Sequence, residues 1–118
     1  MGRQRADAGL MALSRQRADS STEHFGVSMC RHADIARLGL SIPKRLLPLA
    51  VDRNALKRVA REAWRLAEWP DAPRPALAMI RLRRRSDTWR SLPRGALKRA
   101  WRAELDLLIR RARARAPA

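Results

Sequence analysis

Residues 50–65, AVDRNALKRVAREAWR, constrain this chain more than any other stretch, because on a helix their charged and apolar groups separate onto opposite sides. At about 100° per residue, Arg53, Lys57, Arg61, Asn54, Arg65 and Arg58 fall within one arc of roughly 140°. Ala55, Leu56, Val59, Ala60, Ala63, Trp64, Leu66 and Ala67 take the other side, with Glu62 alone at the boundary. A helix divided in this way buries one face and leaves the other in solvent. Cations four residues apart repel one another, and only Glu62 and Asp52 offset them here. An ordinary solvated face mixes both signs. This one does not, so it calls for a negative partner. Asn54, in the centre of the arc, both donates and accepts, which suits a phosphate oxygen or the edge of a sugar or base.

The whole chain repeats the bias of that helix. Its 27 Lys and Arg face 11 acids, a net charge of +16, and all but Lys44, Lys57 and Lys98 are arginine. Arginine meets phosphate with a planar fork and stacks on bases, so this excess points to a nucleic acid. A membrane surface is the competing polyanion. No apolar run of spanning length occurs, and the start MGRQRADAGL lacks an apolar signal core, so a cytoplasmic protein with no membrane partner is expected. Cys30 is the only cysteine, which excludes an intrachain disulfide and a thiolate cluster. His24 and His32 have no carboxylate at ligand spacing, and neither is expected to hold a metal or act as a base.

At 118 residues one domain with a small core is expected. Residues 1–21 form a basic N-terminal segment in which at most one short helix fits, and RQRAD occurs twice there without making a repeat. Phe25, Val27 and Met29 alternate with Gly26, Ser28 and Cys30, as in a half-buried strand. Leu38, Leu40 and Ile42 alternate with Gly39 and Ser41 in a second strand ended by Pro43. The two are expected to pair antiparallel, their small residues lining a shallow open groove. Asp52 suits the start of the basic helix, which runs to about Glu68, and Pro70, Pro73 and Pro75 then set a linker. The apolar run ALAMIRL, residues 76–82, reads as a third strand. After Pro93, the helical spacing of Leu97, Trp101, Leu105, Leu108 and Ile109 predicts a last helix to about Arg111. An α/β domain over residues 22–112 and a frayed basic tail over 113–118 follow. Trp101 belongs to the core stripe, whereas Trp89 either stacks on RNA or caps the sheet edge.

The pattern R-N-x-x-K-R-x-x-R-E-x-W-R, starting at Arg53, resembles the signature of the bacterial ribonuclease P protein component. RLGLSIPKR, residues 37–45, is similar to that family's strand and loop before the signature, and the resemblance covers residues 23–111. Two positions depart from it: Ala55 stands where an arginine is usual, and Trp64 where phenylalanine is usual. The resemblance implies an α+β fold, a two-layer α/β sandwich of the ribosomal protein S5 domain 2-like kind. Its small mixed sheet would carry a left-handed crossover around the basic helix, although general chirality rules favour the right-handed form.

The resemblance also implies a function: the protein subunit of the ribonucleoprotein that removes the 5′ leader from precursor tRNA. The partners would be the ribonuclease P RNA subunit and precursor tRNA. The RNA would be the catalytic component and would hold the magnesium, and no DNA partner is expected. By carry-over, Arg53, Asn54, Lys57, Arg58, Arg61 and Arg65 would face RNA, with Lys57 and Arg61 reaching the leader and Lys44 and Arg45 joining from the preceding loop. Ser28 replaces an aromatic common on the groove face, so charge rather than stacking would hold the leader. The residues themselves offer no paired carboxylates, Ser/His/Asp set or oxygen-rich metal cluster for a protein-only nuclease. A structural RNA-binding protein of ribosomal type, with no role in cleavage, would share the basic helix. A helix-turn-helix DNA binder fits less well, because a strand and loop precede that helix.

Overall fold

The computed structural model describes residues 2–31, 33, 35–70 and 73–115. Its elements are α1 (Gly2–Arg15), β1 (Ser20–Ser21), β2 (Phe25–Cys30), β3 (Arg37–Ser41), α2 (Ala50–Leu66), β4 (Leu77–Leu82) and α3 (Arg94–Arg115), with a 3-10 turn over Thr88–Ser91 before α3. The four strands form one mixed sheet in the order β1-β2-β4-β3. The expected α+β class and small mixed sheet are therefore present. The expected pairing of the first two long strands is not. β4 lies between them, antiparallel to β2 with Ile80 opposite Val27 and parallel to β3 with Ile80 opposite Leu40.

The reason lies in β4 itself. Ala78, Ile80 and Leu82 belong to the main core, while Leu77 and Met79 are buried in a second cluster. A strand apolar on both faces needs a neighbour on each edge and cover on each side. β3 is only half-buried along its length and can stand at the margin. A parallel β3–β4 pair also needs a long crossover, which α2 supplies.

The main core fills the space between the sheet and the α2–α3 layer. Phe25 and Val27 from β2 meet Leu56, Ala60, Ala63 and Trp64 from α2 and Leu97, Trp101, Leu105, Leu108 and Ile109 from α3. The buried stripe of α2 is narrower than its apolar arc, and Leu66, at the end of the helix, is 51% exposed. α2 stops at Leu66 rather than near Glu68, because Ala67 is already extended. Leu49, not Asp52, occupies the N-cap and makes no side-chain cap. Asp52 lies in the first turn, where a carboxylate favours the helix dipole, and accepts from Arg94 at 3.1 Å, tying the starts of α2 and α3 together.

α3 continues past Arg111 to Arg115, so residues 113–115 are helix and not frayed tail. Ala112 is fully buried, Arg111 donates to the Ser21 carbonyl at 2.8 Å, and Arg113 donates to the Glu68 carbonyl. Those bonds are long-range and leave no periodic trace in the sequence. Trp89 is also internal. It is 8% exposed, and its ring centroid lies 4.7 Å from His24, 6.1 Å from Phe25 and 6.0 Å from Trp101. It neither stacks on RNA nor caps an edge; it closes the core.

α1 covers the opposite face of the sheet. Leu10 and Leu13 pack on Leu77 and Met79, with Cys30 beside them. The small residues expected to line an open groove let α1 approach instead. A Cβ at Gly39 would lie 2.8 Å from Met79 Cε and 3.2 Å from Leu10 Cδ2. Ser28 is fully buried, and its hydroxyl accepts from Arg81 at 3.2 Å. The shallow open groove is therefore corrected to a face covered, in its middle, by α1. β1 lies inside the segment treated as N-terminal; its two residues pair with Val27 and Gly26. No helix among the described residues is long and apolar enough to cross a membrane.

Candidate nucleic-acid interface

The outer arc of α2 exposes Asn54, Arg58 and Arg61 to solvent, with Lys57 half-buried beside them. Among the described residues, no hydrogen bond or ion pair engages any of these four side chains. The charges of Lys57, Arg58 and Arg61 have no paired acid among the described residues. Arg65 differs, since it is paired with Glu62 at 2.9 Å one turn back.

Arg53 has a different task. Its Nη1 donates to the carbonyls of Leu47 at 3.0 Å and Pro48 at 2.6 Å, drawing the incoming loop onto the first turn of α2. That loop turns sharply after β3, where the amides of Leu46 and Leu47 both donate to the Pro43 carbonyl, at 3.0 and 3.1 Å. The turn exposes Lys44 and Arg45 while Leu47 is buried. Lys44 and Arg45 thus stand in the loop that Arg53 pins to the start of α2, and the other carried-over residues run along that helix to Arg65 in its last turn.

The arrangement presents cations and one amide to the solvent, groups that suit an anion. Among the described residues, no group of three or more His, Cys, Asp or Glu side chains is placed to hold a metal ion. His24 does have a carboxylate partner, contrary to the expectation from spacing, but it comes from α3. Glu104 Oε1 is 2.7 Å from His24 Nδ1, and its Oε2 accepts from the His24 amide and the Thr22 hydroxyl, each at 2.7 Å. This carboxylate is saturated by local donors and straps α3 to the β1–β2 connection. No short-range signal could have revealed it, since 80 residues separate the pair. His32 lies outside the described residues.

Comparisons with known proteins identify the family and the fold. The sequence matches the family model described as Ribonuclease P over residues 5–104. The ribonuclease P protein component of Paraburkholderia xenovorans (strain LB400) is 36% identical over 96 residues, or 77% of this chain and 66% of that protein. The chain thus spans just under two thirds of that relative's length. The solved structure of the Staphylococcus aureus RNase P protein is similar at TM-score 0.64 and 21% identity, covering 90% of each chain. A mutant of the S. aureus protein, described as defective in mRNA degradation activity, is similar at TM-score 0.61 and 21% identity, covering 90% of this chain and 83% of that one. At that identity the two structures speak to the fold alone.

Proposed function

This chain belongs to the ribonuclease P protein family, and from that premise we propose that it is the protein subunit of a cytoplasmic ribonucleoprotein that cuts the 5′ leader from precursor tRNA. One observation carries the reading: Lys57, Arg58 and Arg61 stand on one open arc of α2 with no acid among the described residues paired to them. Lys44, Arg45, Arg53, Asn54, Lys57, Arg58, Arg61 and Arg65 then face RNA, and Lys57 and Arg61 lie nearest the leader. Arg53 serves twice, because the bonds that hold its Nη1 on the loop carbonyls leave its charge undiminished. The RNA subunit supplies the catalytic centre and the magnesium, and the protein lowers the cost of bringing two polyanions together.

That division of labour has a direct test. Purified protein alone should leave precursor tRNA intact. Added to a bacterial ribonuclease P RNA, it should enable cleavage at magnesium levels where that RNA fails by itself, because a protein of net charge +16 offsets repulsion that divalent ions otherwise screen. Cleavage by the protein with no RNA subunit present would overturn the accessory role. Tight RNA binding with no support of cleavage would leave a structural RNA-binding protein.

A further inference from the structure

A second basic surface lies at the other end of the sheet. α2 packs beside β3, whereas α3 packs beside β1 and β2, so the β1 edge faces away from the α2 arc. Around that edge runs a concavity of about 1560 Å³. Among the described residues, Arg17, Arg31, Arg81, Arg83, Arg111 and Arg115 line it, against one acid, Asp19. A small-molecule pocket holds roughly 300 to 1,000 Å³, so the space suits a length of polymer.

The arginines are held in place without being neutralised. Arg83 donates through Nη1 to the Thr22 carbonyl at 3.3 Å, Arg111 to that of Ser21 at 2.8 Å, and Arg115 to that of Asp19 at 3.4 Å. Each bond uses one nitrogen of the fork and a neutral acceptor. The rest of each guanidinium and its full charge stay available, and all three side chains are exposed. Arg31 adds a separate observation, for its Nη2 is buried with no hydrogen-bond partner among the described residues. A buried guanidinium nitrogen is normally satisfied. Asp19, whose Oδ2 accepts from the Met29 amide at 2.7 Å, keeps its charge but is one carboxylate against six guanidinium groups. Arg81 stands apart: its fork is filled by the carbonyls of Ser14 and Gln16 and by the Ser28 hydroxyl.

We propose that the concavity around β1, built on Arg31, Arg83, Arg111 and Arg115, binds the phosphate backbone of a second RNA segment while the α2 arc holds the first. Forks fixed on carbonyls and open to solvent are pre-organised for phosphate oxygens. Among the described residues no aromatic side chain lines the concavity, so it reads backbone and not base, and its binding is indifferent to sequence. The two surfaces sit on opposite edges of the sheet and cannot share a phosphate. The protein therefore acts as a clamp between two RNA elements.

This inference rests on the RNA-binding reading above, and its test separates the two. The full chain carrying Arg83→Gln, Arg111→Gln and Arg115→Gln is compared with Lys57→Gln/Arg61→Gln for binding to ribonuclease P RNA across a salt series, with hydroxyl-radical footprints of each complex. The triple variant should bind on the order of tenfold more weakly or worse. Its slope of log affinity against log salt should flatten by roughly two to three units, nearly one for each phosphate that no longer meets a cation. It should also leave unprotected an RNA segment that the α2 variant still shields. Parent affinity and slope in the triple variant, with weakening in the α2 variant, would overturn the clamp and leave the proposed function standing. Loss of the same segment in both variants would overturn the clamp as well, and no change in either would overturn both readings. Should the triple variant fail to fold, the unaltered chain decides: bound RNA should shield Arg83, Arg111 and Arg115 from phenylglyoxal, and modification at the rate of the free protein would refute the proposal.

Discussion

The two faces of the sheet are sealed very differently. On one, α2 and α3 close over a core that includes Phe25, Leu56, Trp64, Trp89, Trp101, Leu105 and Leu108. On the other, α1 rests on a cluster of four buried side chains, Leu10, Leu13, Leu77 and Met79. Apolar burial contributes about 25 cal/mol per Å², so the first face carries most of the stability. The second holds a helix in place at much smaller cost to break. The difference teaches where this chain can change without unfolding: the helices that carry the α2 arc are fastened to the large core, whereas α1 is fastened to little.

The sharpest way to break that contrast is to empty one site on each face. Trp101→Ala or Leu105→Ala, both at 0% exposure, should cost roughly 3 to 5 kcal/mol in chemical denaturation, enough to unfold much of the population of a marginal domain. Leu13→Ala should cost less, about 2 kcal/mol, because the α1 cluster is small and its surroundings can close up. Native-state hydrogen exchange should show it as faster exchange confined to α1, with α3 unaffected. Equal losses from the two faces, or exchange that speeds throughout, would mean that α1 belongs to the same cooperative unit.

Smaller effects sharpen the picture on α2. Arg53→Ala removes two bonds to loop carbonyls and should cost about 1 kcal/mol in thermal melts as well as weakening RNA binding. Lys57→Ala, which breaks no bond within the chain, should stay within about 0.5 kcal/mol of the parent. Neutralising Lys57 and Arg61 together should have the smallest effect on the fold and a specific effect on substrate. Holoenzyme affinity for leader-bearing precursor should fall much more than affinity for mature tRNA, with the salt slope flattened by roughly one to two units. Equal losses for both RNAs, matched by neutralising Arg99 and Arg110 on α3, would reduce the arc to a general docking face.

Much of this molecule was legible in the order of its residues. The alternation of β2 and β3, the two-sided helix α2 and the stripe of α3 rest on periods of two and 3.6 residues that side-chain direction imposes locally. The same local logic marked the open cations of α2, and the spacing of the motif tied them to a family. Leu97, Trp101, Leu105, Leu108 and Ile109 all proved buried for the same reason.

What the sequence determined by itself, then, was the set of elements and the chemistry on their faces. Their partners were decided only in three dimensions. Strand order was one such choice: β4 displaced the expected β2–β3 pairing because only a central place covers both of its apolar faces. The length of α3 was another, set by bonds from Arg111 and Arg113 to distant carbonyls. Trp89, flanked in sequence by polar residues, became core because His24, Phe25 and Trp101 enclose it. The arginines around β1 come from segments far apart in the chain and meet only where α3 crosses the edge strand. Periodicity reports which side of an element is apolar, but it carries no information about which other element will cover that side.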